Sequence, residues 1–369
     1  MKLMNPETEA ELADLVVGLD SPVRIVGGGT RGVTGPVSEL STAGLNGITL
    51  YEPGALTLVA QAGTPVAQIE AALAAEGQQL AFEPMDHRDL LGTQGEPTIG
   101  GVVAANVSGP RRIQAGACRD FLLGVRYVDG QGRVIKNGGR VMKNVTGYDL
   151  VKLMAGSWGT LGVLSEVSFK VLPKPEATVT LAVASSSIGA AVQIMSKALQ
   201  SPYEVTGAAC DPQAGCVWLR VEGFADSVAY RKDRLQAELA AFGTSDVVDD
   251  SAALWRQIRD VSCFAGKTGD VWRLSVKPGD APGIAGRMGT ADLLLDWGGG
   301  LIWALMPEGT DLRSSVGDFD GHATLVRGGP ETIGDVGRFH PETGSVSALT
   351  QAIRQKFDPR GFFNPGLMG

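Results

Sequence analysis

Apolar positions in the first half of the chain fall in short runs cut by glycine, and most of these runs keep the period of strands. Val23 to Val26, Ile48 to Tyr51, Thr57 to Gln61, Phe121 to Val128, Arg133 to Lys136 and Leu161 to Val171 read as strands. Asp129-Gly130-Gln131-Gly132 supplies the turn residues of a hairpin between the fourth and fifth. A helical period runs from Met1 to Val17, with Asn5 and Pro6 as cap and first-turn residues, and Gly18 beyond the stop. A second helix follows Thr64-Pro65 as far as Glu76, placing Val66, Ile69 and Leu73 on one face. Asp149 opens a third, Leu150 to Ala155, while Glu83 to Arg112 reads as loop with a small strand at Val102 to Asn106.

Beyond Pro175 the texture changes, and strands alternate with longer helices. Strands are predicted at Thr178 to Ala184, Cys216 to Glu222, Val271 to Lys277, Leu293 to Trp297, Leu301 to Met306 and Ala323 to Arg327. Helices are predicted at Ala190 to Leu199, Ser227 to Ala241 and Val346 to Phe357. This pattern describes an antiparallel sheet covered by helices on one side, an α+β layer. The apolar runs at Leu293 to Leu295 and Leu301 to Met306 are core strands or, failing that, the first places to look for an exposed patch. The adjacent aromatics Phe362 and Phe363 require burial, so the tail packs back on the molecule.

Two glycine-rich stretches carry the chemistry. Gly27-Gly28-Gly29-Thr30-Arg31-Gly32 follows a strand and matches Gly-x-Gly-x-x-Gly, with Glu52 further on, which suggests a nicotinamide-binding unit. Such a unit needs a helix after the loop, and Val33 to Gly47 contains Gly35, Pro36, Gly44 and Gly47 without a helical period. The loop either holds phosphate by consecutive N–H groups, helped by Thr30 and Arg31, or is a tight connection between strands. The second stretch, Lys143 to Lys170, carries Gly147, Gly156, Gly159 and Gly162, an arrangement that lets a flat ring or a phosphate lie against bare backbone. Gly100 and Gly101, beside Arg111 and Arg112, form another contact point for a polar ligand.

Length then bounds the architecture, since 369 residues exceed what one core usually organises. The 51 glycines are well above the usual share of about 7 %, with no low-complexity period. A net charge of -8 argues against nucleic acid or an anionic membrane as the main partner. Acidic residues at the start and the lack of a long apolar run predict neither a signal peptide nor a transmembrane segment. Cys118, Cys210, Cys216 and Cys263 are scattered in a way that fits neither an iron–sulfur cluster nor a zinc site, so no metal site is predicted.

These motifs together resemble the FAD-binding proteins with a vanillyl-alcohol-oxidase-type (PCMH) domain. The resemblance rests on Gly27 to Thr30, Pro97-Thr98-Ile99-Gly100-Gly101, Gly147 to Leu150, Gly156 to Val163, and Phe357-Asp358-Pro359 with Asn364-Pro365-Gly366. Lys143-Asn144-Val145-Thr146 and Val167 to Pro173 make it strongest with the FAD-binding subunits of glycolate oxidases. The resemblance implies an α+β chain in three parts: a two-part PCMH-type FAD domain over residues 1–175, a cap with an antiparallel sheet over 176–345, and a segment 346–369 returning to the FAD domain. It makes Gly27, Gly28, Gly29 and Thr30 the pyrophosphate loop, and Pro97, Thr98, Gly100 and Gly101 a second flavin-contacting loop. Gly159, Thr160, Gly162 and Val163 would line the isoalloxazine, and Gly32, Gly156 and Asn364 are further cofactor-binding candidates.

Relatives that attach flavin covalently use His or Cys near the first loop, where this chain has Thr30 and Arg31, so non-covalent FAD is expected. His87 is read as a surface residue. Relatives that oxidise 2-hydroxy acids unaided carry a histidine-rich metal-binding stretch, whereas this chain has His87, His322 and His340 only. Trp158 also replaces the glutamate that many relatives carry between Gly-Ser and Gly-Thr. The catalytic residues are therefore unassigned. The favoured reading is a cytoplasmic FAD subunit of a glycolate-oxidising complex, working with a second flavoprotein subunit and an iron–sulfur subunit and peripheral to the inner membrane through them. The alternatives are a self-sufficient 2-hydroxy-acid dehydrogenase using His322, Arg327 or His340, and a flavin-stabilised scaffold.

Overall fold

The computed structural model describes residues 3–33, 35, 37–140 and 147–368. Lys143 to Thr146 lie outside the described residues. Three short strands, Leu3–Met4, Ser38–Ser41 and Val23–Val26, form a parallel sheet with Ser38–Ser41 in the middle. The first helix is shorter than its period suggests, running from Glu9 to Val17 with Thr8 as its cap. Thr8 Oγ1 accepts the Glu11 N–H at 3.2 Å, and Asn5, expected to be the cap, instead accepts the Gly44 N–H at 2.9 Å. That bond ties the entering strand to the loop after Ser38–Ser41, which pattern reading left without structure.

The larger sheet of the first half is antiparallel, in the order Ile48–Glu52, Thr57–Gln61, Val163–Lys170, Leu122–Val128 and Val134–Gly138. Helix Val66–Ala75 lays Val66, Ile69 and Leu73 against it, sharing a core with Phe82, Val103, Val125 and Phe169. The strand expected at Val102 to Asn106 is instead part of a helix, Ile99–Ala104. Thr98 caps this helix by accepting the Gly101 N–H, and Gly100 at its first turn donates to the Ala62 carbonyl at 2.7 Å. A Cβ at Gly100 would stand 2.7 Å from Ala62, so the close seat of this helix on the strand end requires glycine.

Residues beyond 175 build an eight-stranded antiparallel sheet. Its order is Ser245–Val247, Ala177–Ala184, Cys216–Gly223, Val205–Asp211, Asp292–Asp296, Leu301–Met306, Asp270–Val276 and Gly321–Arg327. Helices Ile188–Gln200, Ala225–Leu239 and Ala281–Gly286 contribute to one core on its outer face. Pattern reading missed Val205–Asp211 and the helix Ser251–Arg259. They meet where Gly207 faces the Trp255 ring, a contact so close that a Cβ there would stand 2.7 Å from it. The runs Leu293–Leu295 and Leu301–Met306 are core strands, and Leu294, Leu301 and Trp303 pack with Met85 and Leu90 of the first half. Phe363 is buried beside Leu12, Val23 and Val163, which places the tail on the parallel sheet.

Two crossed ion pairs join the halves. Glu83 accepts from Nη1 and Nη2 of Arg220, each at 2.9 Å, and Glu222 accepts from Nε and Nη2 of Arg111 at 2.8 and 2.6 Å. Burial raises the Glu222 carboxyl pKa, but the Arg111 hydrogen bonds and the Arg220 charge outweigh it and bring it to about 2. A depressed carboxyl stabilises the fold above its unfolded pKa, and that contribution is lost as pH falls from about 4.5 toward about 2. Glu222→Gln is expected to cost about 3 kcal/mol at pH 7 and much less near pH 2, and urea unfolding at the two pH values measures the difference.

Candidate functional site

The first cavity lies where the loop after Val23–Val26, the first turn of helix Ile99–Ala104, the Ser157–Gly159 turn and the tail converge. Gly27, Gly28, Gly29, Thr30, Gly100, Gly101, Gly159, Gly162 and Asn364 line it, as the sequence suggests. The others stand behind or beside it. Thr98 lies beneath Gly27, where a Cβ would collide with its hydroxyl, and the Pro97 carbonyl accepts the Val66 N–H at 2.8 Å. The Gly32 carbonyl accepts from Arg338 at 2.8 Å, and Thr160 donates its hydroxyl to the Ser157 carbonyl at 2.7 Å. Val163 buries its side chain with Val128 and Phe363, and Gly156 lines a neighbouring cavity.

Sequence reasoning missed the walls made by Ile25, Val26, Thr42, Ala62 and Leu164, which are strand ends without motif character. Asn364 Oδ1 accepts the Ile25 N–H at 2.7 Å, and its Nδ2 donates to the Trp158 carbonyl at 2.6 Å. One amide thus joins the loop strand, the second glycine turn and the tail. Trp158 has φ +52°, a left-handed conformation that a bulky residue rarely adopts, and its ring meets Phe339 edge-on at 5.3 Å. Its N–H donates to the Ala104 carbonyl at 2.8 Å, which holds the strained turn against helix Ile99–Ala104.

The donor set of this cavity suits a diphosphate carrying a flat ring. Among the described residues no Asp or Glu lines it, and Arg31 is the single charged side chain that does. The Arg31 Nε is buried without a hydrogen-bond partner, and burial lowers the guanidinium pKa to about 10. A Cβ at Gly28 would fall on the Glu96 carbonyl, so the loop's own packing demands glycine there, whereas a Cβ at Gly29 meets nothing within 4 Å. The open side of Gly29 is therefore room that the protein itself does not fill.

A second cavity, about 440 Å³, lies between the halves and shares Arg31, Ala105 and Trp158 with the first. His87, expected at the surface, lines it; burial and then the Arg31 charge lower its pKa to about 3, so it is neutral at pH 7. His322 also lines it and is held below the usual range by burial and then Arg273. The other two base candidates stand elsewhere. His340 accepts the Ala323 N–H at 3.3 Å through Nδ1, and Arg327 donates to the carbonyls of Leu90, Phe264, Lys267 and Gly269. The two neighbouring arginines of the sequence part company as well, since Arg111 joins the ion pairs while Arg112 faces this cavity.

The matches to known proteins agree with this geometry. Residues 2–138 match the FAD binding domain family. An alkyldihydroxyacetonephosphate synthase structure superposes with a TM-score of 0.72 at 15 % identity, covering 99 % of this chain and 77 % of that one. Fold and cradle thus define an FAD-binding flavoprotein with an α+β cap. "Glycolate oxidase subunit GlcE" of Escherichia coli K12 is 37 % identical over 342 residues, 92 % of this chain and 88 % of that protein. The chain belongs to the family of that FAD-linked oxidoreductase subunit, and FAD is its cofactor. "Glycolate oxidase subunit GlcD" of Bacillus subtilis is similar over a shorter stretch, 42 % identical over 99 residues, 27 % of this chain and 21 % of that one.

Among the described residues Asp296 is the one acidic residue lining the second cavity. Burial pushes its carboxyl pKa up to about 7, against the opposing pull of the Trp297 N–H, which its Oδ1 accepts at 2.7 Å. With the folded pKa above the unfolded value, ionisation costs the folded protein stability as pH rises from about 4 through about 7. Asp296→Asn keeps the acceptor and removes the charge. The variant is expected to match the parent near pH 4 and to exceed it by about 2–4 kcal/mol above pH 7, as read from thermal unfolding across that range.

Proposed function

We propose that this chain is the FAD-binding subunit of a glycolate-oxidising assembly that converts glycolate to glyoxylate. The observation that carries the reading is the near full-length similarity to the GlcE subunit. The proposal includes the division into an FAD domain over residues 1–175, a cap over 176–345 and a returning segment over 346–369. Within it, Gly27, Gly28, Gly29, Thr30 and Arg31 hold the diphosphate, and Gly100, Gly101, Gly159, Gly162 and Asn364 hold the ring system. When bound, FAD supplies a ring that takes up a hydride equivalent and releases electrons one at a time. The chain's own residues would orient that ring, and the Trp158 turn and the tail, which wall this cavity, would keep water from it.

FAD attachment is taken to be non-covalent, because among the described residues neither His nor Cys lines the first cavity. The proposed partners are a second flavoprotein subunit and an iron–sulfur subunit. One observation supports them: among the described residues no cluster of His, Cys, Asp and Glu is arranged to hold a metal. Among the described residues no helix is long and apolar enough to cross a membrane.

The decisive experiment mixes the purified, FAD-replete chain anaerobically with glycolate. The flavin absorbance is expected to persist for the chain alone and to bleach once the partner subunits are added. Turnover by the chain alone with a dye acceptor, faster than about 1 s⁻¹ and abolished by His322→Ala, would sink the subunit reading. Gly29→Ala adds a methyl group where the protein leaves open space and strains a residue at φ +69°, at a cost of about 1 kcal/mol. It is expected to lower FAD occupancy severalfold while unfolding close to the parent's apo form, with acid-released FAD per chain as the measure.

A further inference from the structure

The cavity between the halves holds more positive charge than the protein neutralises. Several of its arginines are accounted for: Arg119 lies 3.9 Å from Asp120, Arg259 pairs with Asp260 at 2.8 Å, and Arg338 donates to backbone carbonyls. Arg31 borders the cofactor cavity as well, which leaves Arg112 and Arg273. Among the described residues neither makes a hydrogen bond or an ion pair through its guanidinium. Both instead lie over the indole of Trp297, at 4.7 and 5.0 Å from its centroid. Burial lowers both pKa values, that of Arg273 to about 10; the Arg119 charge further lowers that of Arg112 and the Arg112 charge that of Arg273, against the smaller opposing pulls of Asp120 and Asp296.

Two adjacent, unpaired guanidiniums in an enclosed space are costly unless an anion completes them. Their mounting shows that the site is built. Arg112 comes from the first half, on the short helix Arg112–Ala115, and Arg273 from the cap strand Asp270–Val276. Trp297, at φ +54°, is fixed beneath them by its Nε1–H, which donates to the Gly109 carbonyl of the first half at 3.1 Å. A bulky residue in that conformation persists only where its surroundings impose it. Planar guanidiniums with free N–H groups match the planar oxygens of a carboxylate, which both can address together.

We propose that Arg112 and Arg273 form a clamp for the carboxylate of a small organic acid, closed across the two halves and floored by Trp297. The volume, about 440 Å³, falls within the range of ordinary ligand sites. The clamp deepens the reading of the chain as a glycolate-oxidising subunit, and rests on it only for the identity of the acid.

Oxalate tests the clamp without turnover, because it is a carboxylate with no C–H hydride to lose. Calorimetry of the FAD-replete chain is expected to give saturable binding of one oxalate, tighter than inorganic phosphate. Arg112→Gln and Arg273→Lys should each weaken it about tenfold or more with FAD content unchanged. Absence of saturable oxalate binding, preference for phosphate, or undiminished binding in Arg112→Gln overturns the clamp. Should Arg273→Lys lose its FAD, Arg112→Gln alone decides. Oxalate binding that follows the clamp in a chain that never supports glycolate oxidation with its partners would leave the clamp standing and remove the subunit reading.

Discussion

The crossed ion pairs between Glu83, Arg111, Arg220 and Glu222 are the constraint on which the rest depends. Each half contributes one acid and one base, paired within the half at 3.1 and 3.3 Å and across the halves at 2.6 and 2.9 Å, so the four side chains form one buried network shared by both halves. Arg220 also lies over the Trp255 ring at 4.4 Å, which extends the network into helix Ser251–Arg259. Removing one member of such a set strands charges that burial makes expensive. The fixed relation of the halves defines the second cavity, which Pro110 and Arg112, on either side of Arg111, both line.

A different economy governs the first cavity. Gly27, Gly28 and Gly100 are required by contacts with Thr98, Glu96 and Ala62, which are protein atoms. The cradle is thus packed before a ligand enters, and its N–H groups are held by neighbouring loops. Asn364, some 340 residues from the loop strand in sequence, completes it by bonding Ile25 and Trp158 together. This explains in physical terms why the chain's end returns to its beginning: with the tail absent, the Ile25 N–H and the Trp158 carbonyl would both lose their partner.

How far the sequence discloses this depends on the range of the interaction. Period and turn chemistry are local, so the helix Val66–Ala75, the strand Val163–Lys170 and the glycine loop after Val26 were legible. The helix Ile99–Ala104 was misread because its signal is Thr98 as a cap, and the two glycines inside it argue against helix until Ala62 explains them. Val205–Asp211 was invisible because its Gly207 serves a ring some fifty residues away. The second cavity was beyond reach altogether, since Arg112, Arg273, Asp296 and Trp297 become neighbours only after two sheets have formed.

The overall charge of -8 conceals a sharp separation of signs. Among the described residues the first cavity has no acidic lining residue, and the second has one, Asp296, whose carboxyl burial pushes up to about 7, so that it is only partly ionised at neutral pH. Burial also lowers the pKa values of His87, to about 3, and of His322, so the guanidiniums dominate the potential inside. Enclosure by low-dielectric walls makes that potential stronger than the surface charge suggests. An acidic protein can in this way present a positive interior to anions, provided that its arginines are mounted on rigid elements and denied carboxylate partners. Arg31 lines both cavities, so its charge contributes to the potential in each.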